Sequence, residues 1–147
     1  MKGIFITGGL GQLGHALYNL LKDNKDYQLY LTDYQPSEDG IVRKLDITDE
    51  AAVEAEIIGI RPDIIINCAA MTAVDLCESQ QEMAYKINAL GPKYLAKAAA
   101  KVDAKLIHVS TDYIYDGQAK SPYTEETKAN PINIYGHTKL AGDNFVM

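Results

Sequence analysis

The stretch TGGLGQLG, residues Thr7–Gly14, decides the fold, because it joins an apolar run to a helical pattern. Gly3–Thr7 is predicted as a strand and Gln12–Lys22 as a helix. The glycines fit two spacings, G-x-G-x-x-G on Gly9, Gly11 and Gly14 or G-x-x-G-x-x-G on Gly8, Gly11 and Gly14. A glycine loop between a first strand and a first helix is typical of a phosphate site, since the helix N-terminus presents unpaired N–H groups.

The rest of the chain repeats this alternation of short apolar runs and longer helical patterns. Further strands are predicted at 27–32, 41–45, 63–67 and 105–109, and further helices at 49–58, 79–102 and 134–147. Thr48 is the candidate cap of the second helix. Ile64, Ile65 and Ile66 run without polar alternation, which is typical of a strand buried on both faces.

These elements predict an α/β fold with a Rossmann-like doubly wound parallel sheet in three layers, α/β/α. Residues 1–147 are then predicted to form one dinucleotide-binding domain. Because the pattern stops inside the last helix, we expect the sheet to be C-terminally incomplete and the chain to be the N-terminal part of a longer protein.

Composition excludes several function classes. The chain has 147 residues and a formal net charge of -6, so nucleic acid and anionic membranes are not expected partners. No secretory signal is visible, and the apolar stretch Ile64–Ala70 is too short to span a bilayer, so we expect a cytoplasmic protein. Cys68 and Cys77 have neither redox nor zinc spacing and are interpreted as two thiols. The three histidines do not cluster, so no metal site is expected.

An acidic residue at the end of the second predicted strand fits a dinucleotide site. Asp33 lies 19 residues after Gly14, where a carboxylate binds the ribose hydroxyls. A carboxylate there favours NAD(H), since a 2′-phosphate would meet a like charge. No Lys-Ser or Lys-Thr pair follows the last glycine, which disfavours an ATP or GTP loop. The alternative interpretation is a structural turn in which Asp33 only caps a loop.

The segment YGHTK contains a possible acid–base pair. Tyr135 and Lys139 are four residues apart at a predicted helix start, so both side chains lie on one face. An ammonium lowers the pKa of a neighbouring phenol and suits it to transfer a proton to a carbonyl oxygen. Thr111, directly after a strand, can donate a hydrogen bond to the same carbonyl. The alternative is that Tyr135 and Lys139 are surface residues of an amphipathic helix.

Together these segments resemble the extended short-chain dehydrogenase/reductase superfamily, and within it the dTDP-4-dehydrorhamnose reductases. TGGLGQLG and YGHTK carry the general resemblance. Four longer segments carry the specific one: NCAAMTAVDLCE (67–78), YKINALGPKYLAKAA (85–99), VSTDYIYDG (109–117) and PINIYGHTKLAG (131–142). One departure is Asp143, which stands where such proteins commonly have glutamate.

The resemblance implies roles for matching residues. The wider glycine spacing is the functional one, and the match through Gly9 is accidental. The implied cofactor-binding residues, for NADH or NADPH, are Gly8, Gly11, Gln12, Leu13, Gly14, Asp33, Asp46, Ile47, Ala69, Ala70 and Thr72. The implied catalytic residues are Thr111, Tyr135 and Lys139. Asp112 and Tyr113 are expected to approach the sugar.

The activity implied is NAD(P)H-dependent reduction of the 4-keto group of dTDP-4-dehydro-L-rhamnose to dTDP-L-rhamnose, for cell-surface polysaccharide. The expected partner is thus a nucleotide-sugar substrate, and a homodimer is possible. Two alternatives remain open. One is a non-catalytic NAD(P)-binding regulatory subunit of the same family, and the other is a nucleotide-sugar epimerase or dehydratase. The 147-residue chain alone is expected to have weak or no activity.

Overall fold

Five parallel strands form one sheet in a computed structural model that describes residues 1–147. The strand order is β3-β2-β1-β4-β5, with the order reversing between β1 and β4. The strands are β1 (Lys2–Thr7), β2 (Tyr27–Asp33), β3 (Val42–Lys44), β4 (Ile64–Asn67) and β5 (Lys105–His108). A cleft forms outside the carboxyl ends of the strands at such a reversal, which is where doubly wound proteins bind ligands.

Helices cover both faces of the sheet, which makes three layers. The helices are α1 (Gln12–Leu21), α2 (Glu50–Ile60), α3 (Val74–Ser79), α4 (Gln81–Tyr85), α5 (Gly91–Val102) and α6 (Ile134–Val146). Leu17 and Leu21 of α1 pack on one face. On the other face α2 and α5 pack together, and α6 lies beside α5. The predicted Rossmann-like α/β/α architecture is confirmed.

The central strands contribute to the core on both faces. Phe5 and Ile65 belong to the larger cluster, under α2 and α5. Ile4 and Ile6 belong to the smaller cluster, under α1, and Ile64 and Ile66 pack against it. Alternate side chains of β1 and β4 therefore enter opposite layers, as a continuous apolar run predicts.

Several element boundaries differ from those predicted. The cap of α2 is Asp49, whose side chain accepts the N–H of Ala52 at 3.0 Å, and not Thr48. Thr48 donates its hydroxyl to Asp46 instead. The single helix predicted at 79–102 is divided into α4, a π-helical turn at Lys86–Leu90, and α5. A separate helix, α3, ends at Ser79, where the predicted helix was expected to begin.

The structure has no helix with the length and apolarity needed to cross a membrane. Both cysteines are free thiols.

The strand register brings three polar residues to the carboxyl edge of the sheet. Thr7 pairs with Asn67 across β1 and β4, and Asn67 pairs with His108 across β4 and β5. Neighbouring residues in register point to the same face of a sheet. The three side chains therefore form a row directly behind the glycine loop.

Candidate functional site

The glycine loop is packed so tightly that two of its positions exclude any side chain. Gly8 has a φ of +68°, and a Cβ there would lie 2.7 Å from the backbone nitrogen of Ala69. A Cβ on Gly14 would overlap the carbonyl oxygen of Gly8. At Gly9 the nearest atoms are side-chain carbons of Leu31 and Val42 at 3.3 Å. The steric need for glycine is thus strongest at two positions of the wider spacing.

The N-terminus of α1 opens directly onto the cleft. Its cap residue, Gly11, has no side chain to accept the first N–H groups of the helix. The N–H groups of Gln12, Leu13 and Gly14 find no acceptor within the protein. Unpaired donors and the positive end of the helix dipole suit an anion such as a pyrophosphate. This cradle fits the phosphates of a dinucleotide.

One end of the cleft, of about 300 Å³, gathers the residues predicted to hold the adenosine half of the cofactor. It is lined by Gly8, Gly11, Asp33, Asp46, Ile47, Ala69 and Ala70, together with Tyr34, Leu45, Cys68 and Ile87. One carboxylate oxygen of Asp33 accepts the N–H of Leu10 at 3.0 Å. The second oxygen has no protein partner and is free for ribose hydroxyls.

The other end, of about 340 Å³, contains the predicted acid–base pair. Its lining includes Gln12, Leu13, Gly14, Thr72, Tyr135 and Lys139, and it shares Gly11, Ala69 and Ala70 with the first end. The two ends therefore form one continuous cleft across β1 and β4. A bound dinucleotide can extend from Asp33 to Tyr135 along the helix N-terminus.

Lys139 is a buried ammonium. Only 3% of its surface is exposed, and its Nζ donates to the carbonyl oxygen of Val109 at 2.6 Å. Burial lowers the pKa of Lys139, because desolvation penalises the charged form, and the Asp143 carboxylate partly opposes this. Tyr135, one helical turn earlier, is 9% exposed. A buried cation beside a phenol is the arrangement expected to support proton transfer.

Neighbouring segments hold the start of α6, and with it Tyr135. Glu78 accepts the N–H of Ile134 at 2.8 Å, and the Asn133 side chain accepts that of Gly136 at 2.7 Å. The Tyr113 ring meets the Tyr135 ring edge to face at 5.4 Å between centroids. The first turn of α6 is thus fixed by α3, by its own cap and by the loop after β5.

Thr111 is not among the residues that line the cleft. Its Oγ1 accepts the N–H of Tyr113 at 3.2 Å and caps a short 3₁₀ turn. Ser110, one residue earlier, lines the cleft instead. Asp112 and Tyr113 line a separate shallow pocket with Tyr115, Asp116, Gly117, Tyr123, Ile132 and Asn133. The structure therefore brings the predicted cofactor-binding residues into one cleft with Tyr135 and Lys139. Thr111, Asp112 and Tyr113 lie outside the lining of this cleft.

Asn88 is a structural residue of the site that the sequence analysis did not identify. Its Oδ1 accepts the N–H of Met71 at 2.8 Å, and its Nδ2 donates to the Met71 carbonyl at 3.1 Å and to Thr138 Oγ1 at 3.2 Å. It is fully buried in the π-helical turn. An asparagine at a core position of the helical pattern YKINALG was the available signal, since such an amide must find partners.

The sequence of this chain is similar along its whole length to one family of known proteins. The family described as the RmlD substrate binding domain matches residues 1–147. The dTDP-4-dehydrorhamnose reductase of Mycolicibacterium smegmatis is 43% identical over 145 residues, 98% of this chain and 41% of that protein. Methionine adenosyltransferase 2 subunit beta of Xenopus laevis is 42% identical over 142 residues, 97% of this chain and 42% of that protein.

Solved structures agree with these similarities. A dTDP-4-dehydrorhamnose reductase from Clostridium acetobutylicum matches with a TM-score of 0.89 and 48% identity, over 98% of this chain and 48% of that one. The reductase from Bacillus anthracis, solved in complex with NADP, matches with a TM-score of 0.90 and 41% identity, over 99% and 49%. The chain spans about half the length of the relatives it matches.

Proposed function

Because this chain belongs to the RmlD substrate binding domain family, we propose that it is the cofactor-binding and catalytic part of an NAD(P)H-dependent reductase. The proposed reaction reduces the 4-keto group of dTDP-4-dehydro-L-rhamnose and yields dTDP-L-rhamnose. Relatives that carry the name dTDP-4-dehydrorhamnose reductase, at 43% and 48% identity, support this choice of substrate.

One observation carries the proposal. Tyr135 and the buried Lys139 share a continuous cleft with the open N-terminus of α1. A phosphate cradle alone would support many nucleotide-binding proteins. A phenol with a buried ammonium at the far end of the same cleft adds the means to protonate a carbonyl oxygen where a nicotinamide can lie.

The proposed mechanism assigns each step to a residue. When bound, a nicotinamide cofactor would supply the hydride for the carbonyl carbon. Tyr135 donates its phenolic proton to the carbonyl oxygen, and the Lys139 ammonium stabilises the phenolate that remains and binds the nicotinamide ribose. Thr111 orients the carbonyl, which requires its hydroxyl to turn from the 3₁₀ turn towards Tyr135. Asp112 and Tyr113 approach the sugar from the adjacent pocket.

Asp33 bears on the choice between NADH and NADPH. Its free carboxylate oxygen suits a 2′-hydroxyl and repels a 2′-phosphate, although a relative was solved with NADP. Titration of the chain with each reduced cofactor measures the preference. An Asp33→Ser variant should reduce any preference for NADH. An NADPH preference in the unaltered chain would show that Asp33 does not control this choice.

The direct test uses the longest natural polypeptide that contains this chain, because relatives are about twice its length. We propose that the remaining length supplies the nucleotide-sugar pocket. Incubation with dTDP-4-dehydro-L-rhamnose and NADH or NADPH should consume the cofactor, seen as loss of its near-ultraviolet absorbance, and form dTDP-L-rhamnose. No consumption with either cofactor would overturn the proposed reaction.

A second candidate is a regulatory subunit that binds NAD(P) without turnover. The 42% identity to methionine adenosyltransferase 2 subunit beta supports it. The presence of both Tyr135 and Lys139 in the cleft favours catalysis over this alternative. A stoichiometric enzyme partner recovered with the purified protein, without turnover, would favour the regulatory role. Tightly held NAD⁺ that is not consumed would instead indicate an epimerase or dehydratase.

A further inference from the structure

A row of five polar side chains, here called the edge network, lies behind the cleft at the carboxyl edge of the sheet. It consists of Thr7, Asn67, His108, Asp143 and Ser110. Thr7 donates to Asn67 Oδ1 at 2.6 Å, and Asn67 Nδ2 lies 3.0 Å from His108 Nδ1. His108 Nε2 lies 3.4 Å from Asp143 Oδ1, and Ser110 donates its hydroxyl to Asp143 Oδ2. The network joins β1, β4 and β5 to α6.

The hydrogen-bond pattern determines which nitrogen of His108 carries the proton. Asn67 Oδ1 also accepts the backbone N–H of Ala69 at 3.2 Å, and an N–H can only donate. The amide group facing His108 is therefore the NH₂, which donates to the imidazole Nδ1. Since Nδ1 acts as the acceptor, the ring proton lies on Nε2, the nitrogen that is 3.4 Å from Asp143 Oδ1.

His108 Nε2 and Asp143 Oδ1 are each other's nearest polar partner. The two side chains are only 4% and 14% exposed, and neither atom has another partner. Their separation of 3.4 Å is long for a hydrogen bond. A buried carboxylate is costly unless it is paired. Burial acts to raise the pKa of Asp143, but His108, Ser110 and the Lys139 charge together hold it below its ordinary value.

Asp143 is also placed to act on Lys139. The two residues are four apart on α6, so their side chains lie on one face. No carboxylate lines the cleft around Lys139, where the other titratable side chains are Cys68 and Tyr135. Behind it, β5 places His108 Nε2 3.4 Å from Asp143 Oδ1. Asp143 makes no direct ion pair with Lys139, so its carboxylate acts on the buried ammonium at longer range, as the negative charge that opposes the lowering of the Lys139 pKa.

We propose that Asp143 is a positioning residue, which supplies the counter-charge of the Lys139 ammonium and anchors Ser110 and His108 at the end of β5. The charge relationship is a property of this chain. Its consequence for carbonyl reduction rests on the proposed function. Asp143 itself lies outside the cleft lining and acts through Lys139 and Ser110.

The first test needs no activity. NMR of the ¹⁵N-labelled chain reports the tautomer of His108, and titration of the ¹³C-labelled lysine side chains reports where Lys139 loses its proton. In the unaltered chain His108 should carry its proton on Nε2. In Asp143→Asn, Lys139 should lose its proton at lower pH than in the unaltered chain. A role confined to stability would lower the melting temperature without moving this titration.

Matched variants separate charge from packing. Asp23→Asn makes the same charge change at an exposed position after α1 and should not move the Lys139 titration. Asp143→Glu keeps the charge and should return it towards the original midpoint. If Asp143→Asn does not fold, Lys139→Met gives the reciprocal measurement, in which the Asp143 carboxyl should titrate at higher pH.

Three results would overturn the proposal: a His108 proton on Nδ1, an unchanged Lys139 titration in Asp143→Asn, or an unchanged Asp143 titration in Lys139→Met. With the longest natural polypeptide that contains this chain, Asp143→Asn should also move the alkaline limb of the reduction rate to lower pH. If that protein does not reduce the substrate at all, the proposed function fails, while the NMR titrations still decide the role of Asp143.

Discussion

At Gly14 the three atoms nearest to an added methyl group all belong to the backbone. A Cβ there overlaps the Gly8 carbonyl and lies 2.9 Å from Gly9 Cα, and backbone cannot yield as a side-chain end can. Gly14→Ala should therefore destabilise the chain by about 1–3 kcal/mol and weaken NADH binding. Urea unfolding and cofactor titration measure the two effects.

The other glycines provide the controls for Gly14→Ala. Gly9→Ala should be milder, because Leu31 and Val42 side chains can shift. Gly11→Ala should reduce affinity more than stability, since only Gly8 O lies near its Cβ, at 3.2 Å, and the rest faces the cleft. If Gly9→Ala weakens cofactor binding most among the loop glycines, the wider spacing is not the functional one.

The proposed role of Tyr135 as proton donor can be tested by removing a single oxygen atom. Tyr135→Phe removes the phenolic oxygen but keeps the ring that packs against Tyr113. In the longest natural polypeptide that contains this chain, it should lower kcat by about 10²–10⁴-fold, the usual contribution of a general acid, with little change in the dissociation constant for NADH. Tyr18→Phe removes the same atom from a tyrosine of α1 that lines neither end of the cleft and is the matched control. Undiminished turnover in Tyr135→Phe would exclude it as the proton donor.

The buried ammonium of Lys139 should lower the free energy of unfolding of the chain. Its pKa in the folded chain lies below the ordinary 10.5, so the unfolded chain binds the proton more tightly. The loss in the free energy of unfolding is therefore complete at pH values below the pKa of Lys139 in the folded chain. It disappears as pH rises towards 10.5, the ordinary pKa of a lysine. Lys139→Met should therefore raise the free energy of unfolding at neutral pH, and this gain should shrink in alkali.

Urea unfolding of Lys139→Met at neutral and alkaline pH measures this dependence. Lys120→Met, at an exposed loop position with no ion pair, is the control and should show no such trend. A stability gain that is independent of pH would mean that the lysine charge is not the cause.

At the scale of the element, α6 organises the chemistry of the site. Tyr135, Lys139 and Asp143 recur every four residues along it and therefore lie on one face. Asn88 bonds to Thr138 on the same helix, and Gly142 lets the Asn88 carbonyl approach closely. The π-helical turn that contains Asn88 thus fixes the position of α6 against the cleft.

The start of α2 gives an element whose cap can be tested. Asp49 accepts the N–H of Ala52 at 3.0 Å. Asp49→Ala should lower the free energy of unfolding by about 1 kcal/mol, because it leaves a first-turn N–H without its acceptor. Asp49→Ser keeps a capping oxygen and should cost much less in the same urea titration. Equal losses in the two variants would contradict the assigned cap.

At the scale of the molecule, the cleft lies where the strand order reverses, and β5 is the edge strand of the sheet. All residues implied for the cofactor lie within this chain, whereas its relatives are about twice as long. We therefore expect the isolated chain to bind NADH but to reduce dTDP-4-dehydro-L-rhamnose at least about 100-fold more slowly than a full-length reductase relative, because the sugar is poorly positioned. Calorimetry and a rate assay test the two parts, and comparable turnover by the isolated chain would contradict the second.

The sequence by itself predicted all five strands and most of the helices in their order along the chain, the glycine loop, and the spacing that brings Tyr135 and Lys139 into one cleft. Each depends on short-range spacing: alternating apolar runs, glycines three apart, and Tyr135 and Lys139 one helical turn apart. The cap of α2 was misplaced by one residue, since Thr48 and Asp49 are both good caps and only backbone geometry separates them.

Only the tertiary structure decided which polar groups meet. It placed Ser110 in the cleft lining while Thr111 caps the turn beside it. It also joined Asn88 by hydrogen bonds to the Met71 backbone and to Thr138. His108 and Asp143 have no signal in local sequence, because Asn67 and His108 are 41 residues apart and Ser110 and Asp143 are 33 apart. Such contacts depend on strand order, register and the packing of α6, which no local pattern encodes.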